Sequence, residues 1–144
     1  MRELVATARL DIYVPPSRIW GVLTDTELFG EMMFGSTIIT DWEVGGPIVF
    51  RGEWEGKPFE DKGVIEEFTE PRRIRMSHFS PLSGDADVPE NYHQVVFDLE
   101  PINEGTGTRV TITQDGNADE KAADHSSRNW QAALESLRKV AAPA

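Results

Sequence analysis

Two histidines bring the most chemistry within reach. Ile74, Met76 and His78 alternate against Arg73, Arg75 and Ser77. His93, Val95, Phe97 and Leu99 alternate against Tyr92, Gln94, Val96 and Asp98. Both histidines therefore fall on the apolar parity of a strand. If the segment from Ser80 to Asn91 closes a hairpin between those strands, His78 and His93 lie nearly opposite each other, with Cβ atoms about 5 Å apart. Two neutral imidazoles in a pocket could polarise a carbonyl or move a proton near neutral pH. The plainer alternative places them at strand ends, hydrogen-bonded to backbone or water. No third ligand stands at recognisable spacing, so no metal is expected, and no motif calls for a cofactor.

Other polar residues offer less. Glu66 and Glu67 are adjacent, so a regular strand would turn one inward, as a general base or an anchor for a cationic ligand. The alternative is a surface carboxylate paired with a nearby arginine. Gln114 shares the inward parity of Val110 and Ile112 and suits a polar anchor at a pocket end, or a satisfied buried amide. Arg73 and Arg75 fall on the solvent side. His125 and Ser126 sit side by side, but nothing resembles a nucleophile elbow. Gly45-Gly46 joins two strands, lacks the Lys-Ser/Thr ending of a phosphate loop and suits a tight turn. Met32-Met33-Phe34 suits core packing or the gate of a pocket mouth.

The elements that must position these residues follow from periodicity. Residues 4–14 alternate as a half-buried strand, with Ala8, Leu10, Ile12 and Val14 on one face, and Pro15-Pro16 ends it. Pro16 or Ser17 opens a short helix carrying Ile19, Trp20, Val22 and Leu23. Thr24-Asp25 caps a second, with Leu28, Phe29, Met32 and Met33, closed by Gly35. From residue 37 to 115 the chain reads as six short strands with turns at Gly45-Gly46-Pro47, Glu55-Gly56-Lys57, Glu70-Pro71-Arg72, Ser80–Asn91 and Asn103–Gly107. Extended structure is expected to resume at Lys62 after the second of these turns. The 80–91 loop is long and polar, with the composition of a lid or a mobile flap.

Residues 119–141 switch to helical period. Trp130, Leu134, Leu137 and Ala141 form a stripe flanked by Ala133 and Val140. Asp119 is the expected N-cap, and Pro143 cannot continue the helix. At 1.5 Å per residue this helix is about 33 Å long, enough to cross a sheet. The order predicts an α+β domain over residues 1–144, in which one sheet face buries the helix stripe. A twisted sheet and a straight helix diverge, and the space between them suits a pocket. The aromatic inner set, Phe50, Trp54, Phe97 and Trp130 with Trp42 as a further member, serves either as packing or as a ligand platform.

Composition narrows the function classes. The 144 residues contain no cysteine, which excludes disulfides, Cys-based zinc sites and a thiol nucleophile. An apolar content of 39% supports one core. A net charge of −11 argues against nucleic acid or an anionic membrane as partner. Met1-Arg2-Glu3-Leu4-Val5 lacks the apolar core of a signal peptide, and no apolar run suits a membrane span, so the expected location is cytoplasmic.

Five segments carry a family resemblance. They are Val14–Thr24, Val44–Phe50, Gly63–Phe68 with Pro71-Arg72-Arg73-Ile74, Gly107–Gln114, and Asn129-Trp130-Gln131-Ala132-Ala133-Leu134-Glu135-Ser136-Leu137. In this order they resemble the SRPBCC (START-like) superfamily, in the branch of the activator of heat-shock protein 90 ATPase homologue. The resemblance covers nearly the whole chain. It implies a helix-grip fold, in which a curved antiparallel sheet of six to seven strands wraps the C-terminal helix around a cavity. One residue departs from the pattern: Asn129 stands where the helix signature usually has Gly, and its greater bulk is expected to disturb close packing there.

The resemblance and the pattern together suggest a binding protein for a hydrophobic or aromatic small molecule. The expected cavity residues are Phe50, Trp54, Met76, His78, His93, Val95, Phe97, Gln114, Trp130 and Leu134. The superfamily implies two alternatives: an interaction protein acting on a chaperone ATPase, and a cofactor-free cyclase or aromatase with the histidine pair as acid and base. A homodimer through a sheet edge or helix face is a further expectation.

Overall fold

The computed structural model describes residues 4–142. The elements run β1 (Leu4–Ile12), α1 (Pro16–Leu23), α2 (Thr26–Met32), β2 (Thr37–Thr40), β3 (Pro47–Trp54), β4 (Lys57–Thr69), β5 (Arg73–His78), β6 (His93–Ile102), β7 (Gly107–Asn117) and α3 (Glu120–Ala141). The strands form one curved antiparallel sheet in the order β1-β7-β6-β5-β4-β3-β2. Strands β2 to β7 are a meander of consecutive neighbours. β1 joins the far edge by pairing with β7, from Leu4 opposite Asn117 to Ile12 opposite Thr108.

Local chemistry sets the helices. Pro15 and Pro16 stop β1, and Pro16 occupies the first turn of α1, where its missing N–H costs nothing. The Asp25 carboxylate caps α2 by accepting from Glu27 N at 2.9 Å and Leu28 N at 3.1 Å. Asp119 caps α3 by accepting from Ala122 N at 2.8 Å. At the other end of α3 the Arg18 guanidinium donates to the Ala141 and Val140 carbonyls, both at 3.2 Å. A cation on those orphan carbonyls offsets the helix dipole and ties α1 to α3. Pro143, the expected helix stop, lies outside the described residues.

The core lies between the concave sheet face and the three helices. Ala133, Leu134, Leu137 and Ala141 of α3 are buried against it, with Ile19, Trp20, Val22 and Leu23 of α1 and Phe29 and Met32 of α2. α3 packs chiefly on β1, and also touches β7, α1 and α2. It therefore covers one half of the sheet and stands off the half formed by β3 to β5.

Two irregularities fix which residues face the concave side. Glu55 and Gly56 both have positive φ, 51° and 79°, the conformation of a two-residue hairpin of type I′. β4 thus begins at Lys57 rather than at Lys62, pairing Trp54 with Lys57, Gly52 with Phe59 and Phe50 with Asp61. Because Phe50 faces inward, so does Asp61. Farther along β4, a bulge between Ile65 and Glu67 inserts an extra residue. Ile65 and Phe68 both face the core, while Glu66 and Glu67 both point outward, 3.7 Å from Arg75 and 3.6 Å from Arg73. The strand is not regular here, so neither glutamate turns inward, and both are surface carboxylates paired with a nearby arginine. At Gly63 the strands approach so closely that a Cβ would collide with the Ser77 carbonyl.

The 80–91 loop is held rather than free. The Asp87 carboxylate accepts from Tyr92 Oη at 2.6 Å and pairs with Lys62, and Asn91 Nδ2 donates to the Ala86 carbonyl at 2.8 Å. Tyr92 also stacks on Phe79, with ring centroids 5.1 Å apart.

Gly63→Ala forces backbone apart, so it should lower stability by about 1–3 kcal/mol, read as a fall in the thermal midpoint. Hydrogen bonds from Lys62 and Tyr92 hold the Asp87 carboxyl below its ordinary value. The stabilisation this brings is therefore complete above about pH 4 and is lost as pH falls through the lowered folded value. An NMR titration should show Asp87 as one of the last carboxyls to protonate, with the Tyr92 ring signals moving in step.

Candidate functional site

Where α3 stands off the sheet, a cavity of about 520 Å³ remains. That volume falls within the range of small-molecule sites. Its floor comes from Phe50 of β3, Phe59 and Asp61 of β4, Met76 and His78 of β5, Val95 and Phe97 of β6, and Gln114 of β7. Its roof and mouth come from Trp130 and Ala133 of α3, with Met33, Phe34 and Ser36 after α2. Phe34 and Gly35 both have positive φ, 61° and 86°, and this turn leaves the Phe34 side chain largely exposed at the cavity rim.

Seven of the expected residues meet here: Phe50, Met76, His78, Val95, Phe97, Gln114 and Trp130. Three stand differently. Leu134 is buried in the core beneath α3 and does not reach the cavity. The Trp54 side chain lies outside the described part of the structure. His93 is the more instructive departure. Its Cα does oppose that of His78, as the hairpin predicts. Its ring, however, bonds the Asp115 carbonyl through Nδ1 at 2.7 Å and lies against Gly116. At the end of a twisted hairpin, opposite residues on one face need not share one space. The two imidazoles are not a pair.

The partner that His78 has instead is Asp61. His78 Nε2 lies 3.1 Å from Asp61 Oδ2, so the imidazole presents Nε2–H to the carboxylate. The ring also meets Phe50 edge-on at 5.7 Å. Asp61 Oδ1 is buried and has no hydrogen-bond partner among the described residues. Sequence parity missed Asp61 because it started β4 too late. The two-residue turn at Glu55-Gly56 was the available signal, since it fixes the register that sets Asp61 opposite Phe50.

A second polar contact lies across the cavity. Trp130 Nε1 donates to Gln114 Oε1 at 2.7 Å, and the indole meets Phe97 edge-on at 5.8 Å. Indole N–H can only donate, so the amide oxygen must face it and the Gln114 amide nitrogen is left without a partner among the described residues. Trp130 is half-buried rather than wholly so. Asn129 is exposed at the cavity mouth, so its bulk does not disturb the core. His125 is exposed, and Ser126 donates to Asn117 Oδ1 at 3.0 Å, so these neighbours form no triad. None of residues 80–91 lines the cavity; the loop borders a separate surface hollow with Phe59 and Lys62. Among the described residues, no group of three or more His, Asp or Glu gathers as a metal site, and no helix is long and apolar enough to cross a membrane.

A seven-stranded antiparallel sheet gripping a C-terminal helix over a cavity defines the helix-grip class. Residues 13–142 match the family model described as Activator of Hsp90 ATPase homolog 1-like protein, and the chain belongs to that family. No curated protein matches it. Among solved structures it is similar to ChR145 from Cytophaga hutchinsonii, with 44% identity over 96% of this chain and 94% of that one, and a TM-score of 0.82. Protein MLL2253 from Mesorhizobium loti shares 19% identity over 96% of each chain, with a TM-score of 0.74. Ms6760 from Mycobacterium smegmatis shares 16% over 98% of this chain and 92% of that one, with a TM-score of 0.77. The last two show the fold alone.

The tryptophan–glutamine contact yields a direct test. Gln114→Leu leaves the Trp130 N–H without its acceptor, which should cost about 1 kcal/mol or more. A lowered urea midpoint and a shifted Trp130 indole proton resonance would report it.

Proposed function

We propose that the protein binds a small, largely apolar molecule of aromatic size in the cavity between α3 and the β3–β6 half of the sheet. The observation that carries this reading is the cavity wall itself. Phe50, Phe97 and Trp130 supply broad apolar faces, and the polar groups are few and discrete: Asp61, His78 and Gln114 inside, with Ser36, Ser126 and Asn129 toward the mouth. A mostly apolar enclosure with a few fixed polar groups is the usual make-up of a small-molecule site. Core packing alone would have closed this volume, since interiors pack to crystal-like density. The family's fold commonly serves ligand binding, but fold does not fix the ligand.

Native mass spectrometry of protein purified gently from its own host should show an extra mass that disappears on denaturation. Ala132→Trp, at an exposed lining position on α3, should cut occupancy at least about tenfold without lowering the thermal midpoint. A bare protein mass in repeated preparations, together with no uptake of apolar aromatic probes, would overturn the reading.

A further inference from the structure

The cavity has a charge pattern that its apolar walls conceal. Among the described residues that line it, Asp61 is the only Asp, Glu, Lys or Arg, so none of them is a lysine or arginine that could receive an anion. The Asp61 carboxylate accepts one hydrogen bond from His78 and has acceptor capacity to spare, with Oδ1 buried and without a partner among the described residues. A carboxylate largely removed from water with a single histidine bonded to it is costly, and a cation or strong donor delivered by a ligand would relieve that cost. Phe50 is its cross-strand partner, Phe97 and Trp130 line the same cavity, and aromatic faces favour ammonium groups. The protein as a whole carries a charge of −11, which concentrates cations near its surface and repels anions.

We propose that the cavity selects amphiphilic amines: an apolar body of aromatic size, with a protonated amino group seated against Asp61. The inference rests on the reading of the cavity as a ligand site and names the chemical class that site prefers. It assigns to Asp61 the cation-anchoring role that Glu66 and Glu67 lose by facing outward. Fatty acids, aryl carboxylates and phosphate esters are the classes it disfavours, because their charge would enter without a counter-ion and against Asp61.

Three probes of one shape separate the possibilities: 2-naphthylmethylamine, 2-naphthylmethanol and 2-naphthoate, titrated calorimetrically at pH 7.5, above the ordinary histidine range. The amine should bind at least about tenfold tighter than the alcohol, and the carboxylate weakest of the three. Asp61→Asn keeps the shape and removes the charge. It should bring the amine to within about threefold of the alcohol, both measured on the same variant. A thermal melt of the variant checks that it folds, and the wild-type series stands without it. If the alcohol binds and the amine binds no tighter, amine selectivity is overturned while the cavity reading survives. If Asp61→Asn keeps the preference, Asp61 is not its source and the proposal fails. If none of the three binds, the amine proposal fails, and the cavity reading falls with it only where native mass spectrometry also shows the bare protein.

Discussion

The structure depends on where α3 can lie. Its apolar stripe must be buried, and Ala133, Leu134, Leu137 and Ala141 find their partner chiefly on β1, at one end of a curved sheet. Asp119 fixes one end of the helix and Arg18 the other, which bonds the last carbonyls from α1. A helix held so cannot also follow the far half of the sheet, whose curvature carries it away. The cavity is the geometric residue of that mismatch. The small residues Ala132 and Ala133 on the facing side of α3 do not refill it.

A cavity in a protein of this size has a cost, because its lining atoms forgo the dispersion contacts of a close-packed core. Here the wall is made of large aromatic groups held edge to face: Phe29 on Phe50 and Phe97, and Trp130 on Phe97. Such rings keep a cavity open by their stiffness and bring about 0.5–1.5 kcal/mol per pair beyond area burial. Its polar groups are also held. His78 is oriented by Asp61 and Gln114 by the Trp130 indole, so each offers its remaining valence in a set direction. Pre-set polar groups on a stiff apolar wall favour recognition over mere solubility of an oily guest.

Much of this was legible in the residues. Period-two alternation located the strands that floor the cavity, and helical period with Asp119 as cap located α3 to within a residue. The inward parity of Phe50, Met76, His78, Val95, Phe97 and Gln114 followed from the same alternation. What parity could not carry was register through irregularities. The bulge at Ile65–Glu67 turned both glutamates outward, and the tight Glu55-Gly56 turn brought Asp61 inward. His93 shows a different limit. Its strand face and its partner were legible, but which side of a twisted hairpin end its ring takes depends on the Asp115 carbonyl, twenty-two residues away in sequence. The 80–91 loop has the composition of a mobile flap, yet a single residue, Asp87, ties it to Lys62 and Tyr92. Composition does not report such a tether.

Ligand entry into the space beneath α3 is read out by a ¹⁵N-resolved NMR titration of the protein with the neutral probe 2-naphthylmethanol. Saturable shifts are expected, concentrated on the Trp130 indole N–H, the Gln114 side-chain amide and the backbone of Phe97 and His78. Shifts confined to the hollow beside the 80–91 loop or to the outer sheet face, with the Trp130 indole unmoved, would contradict such entry.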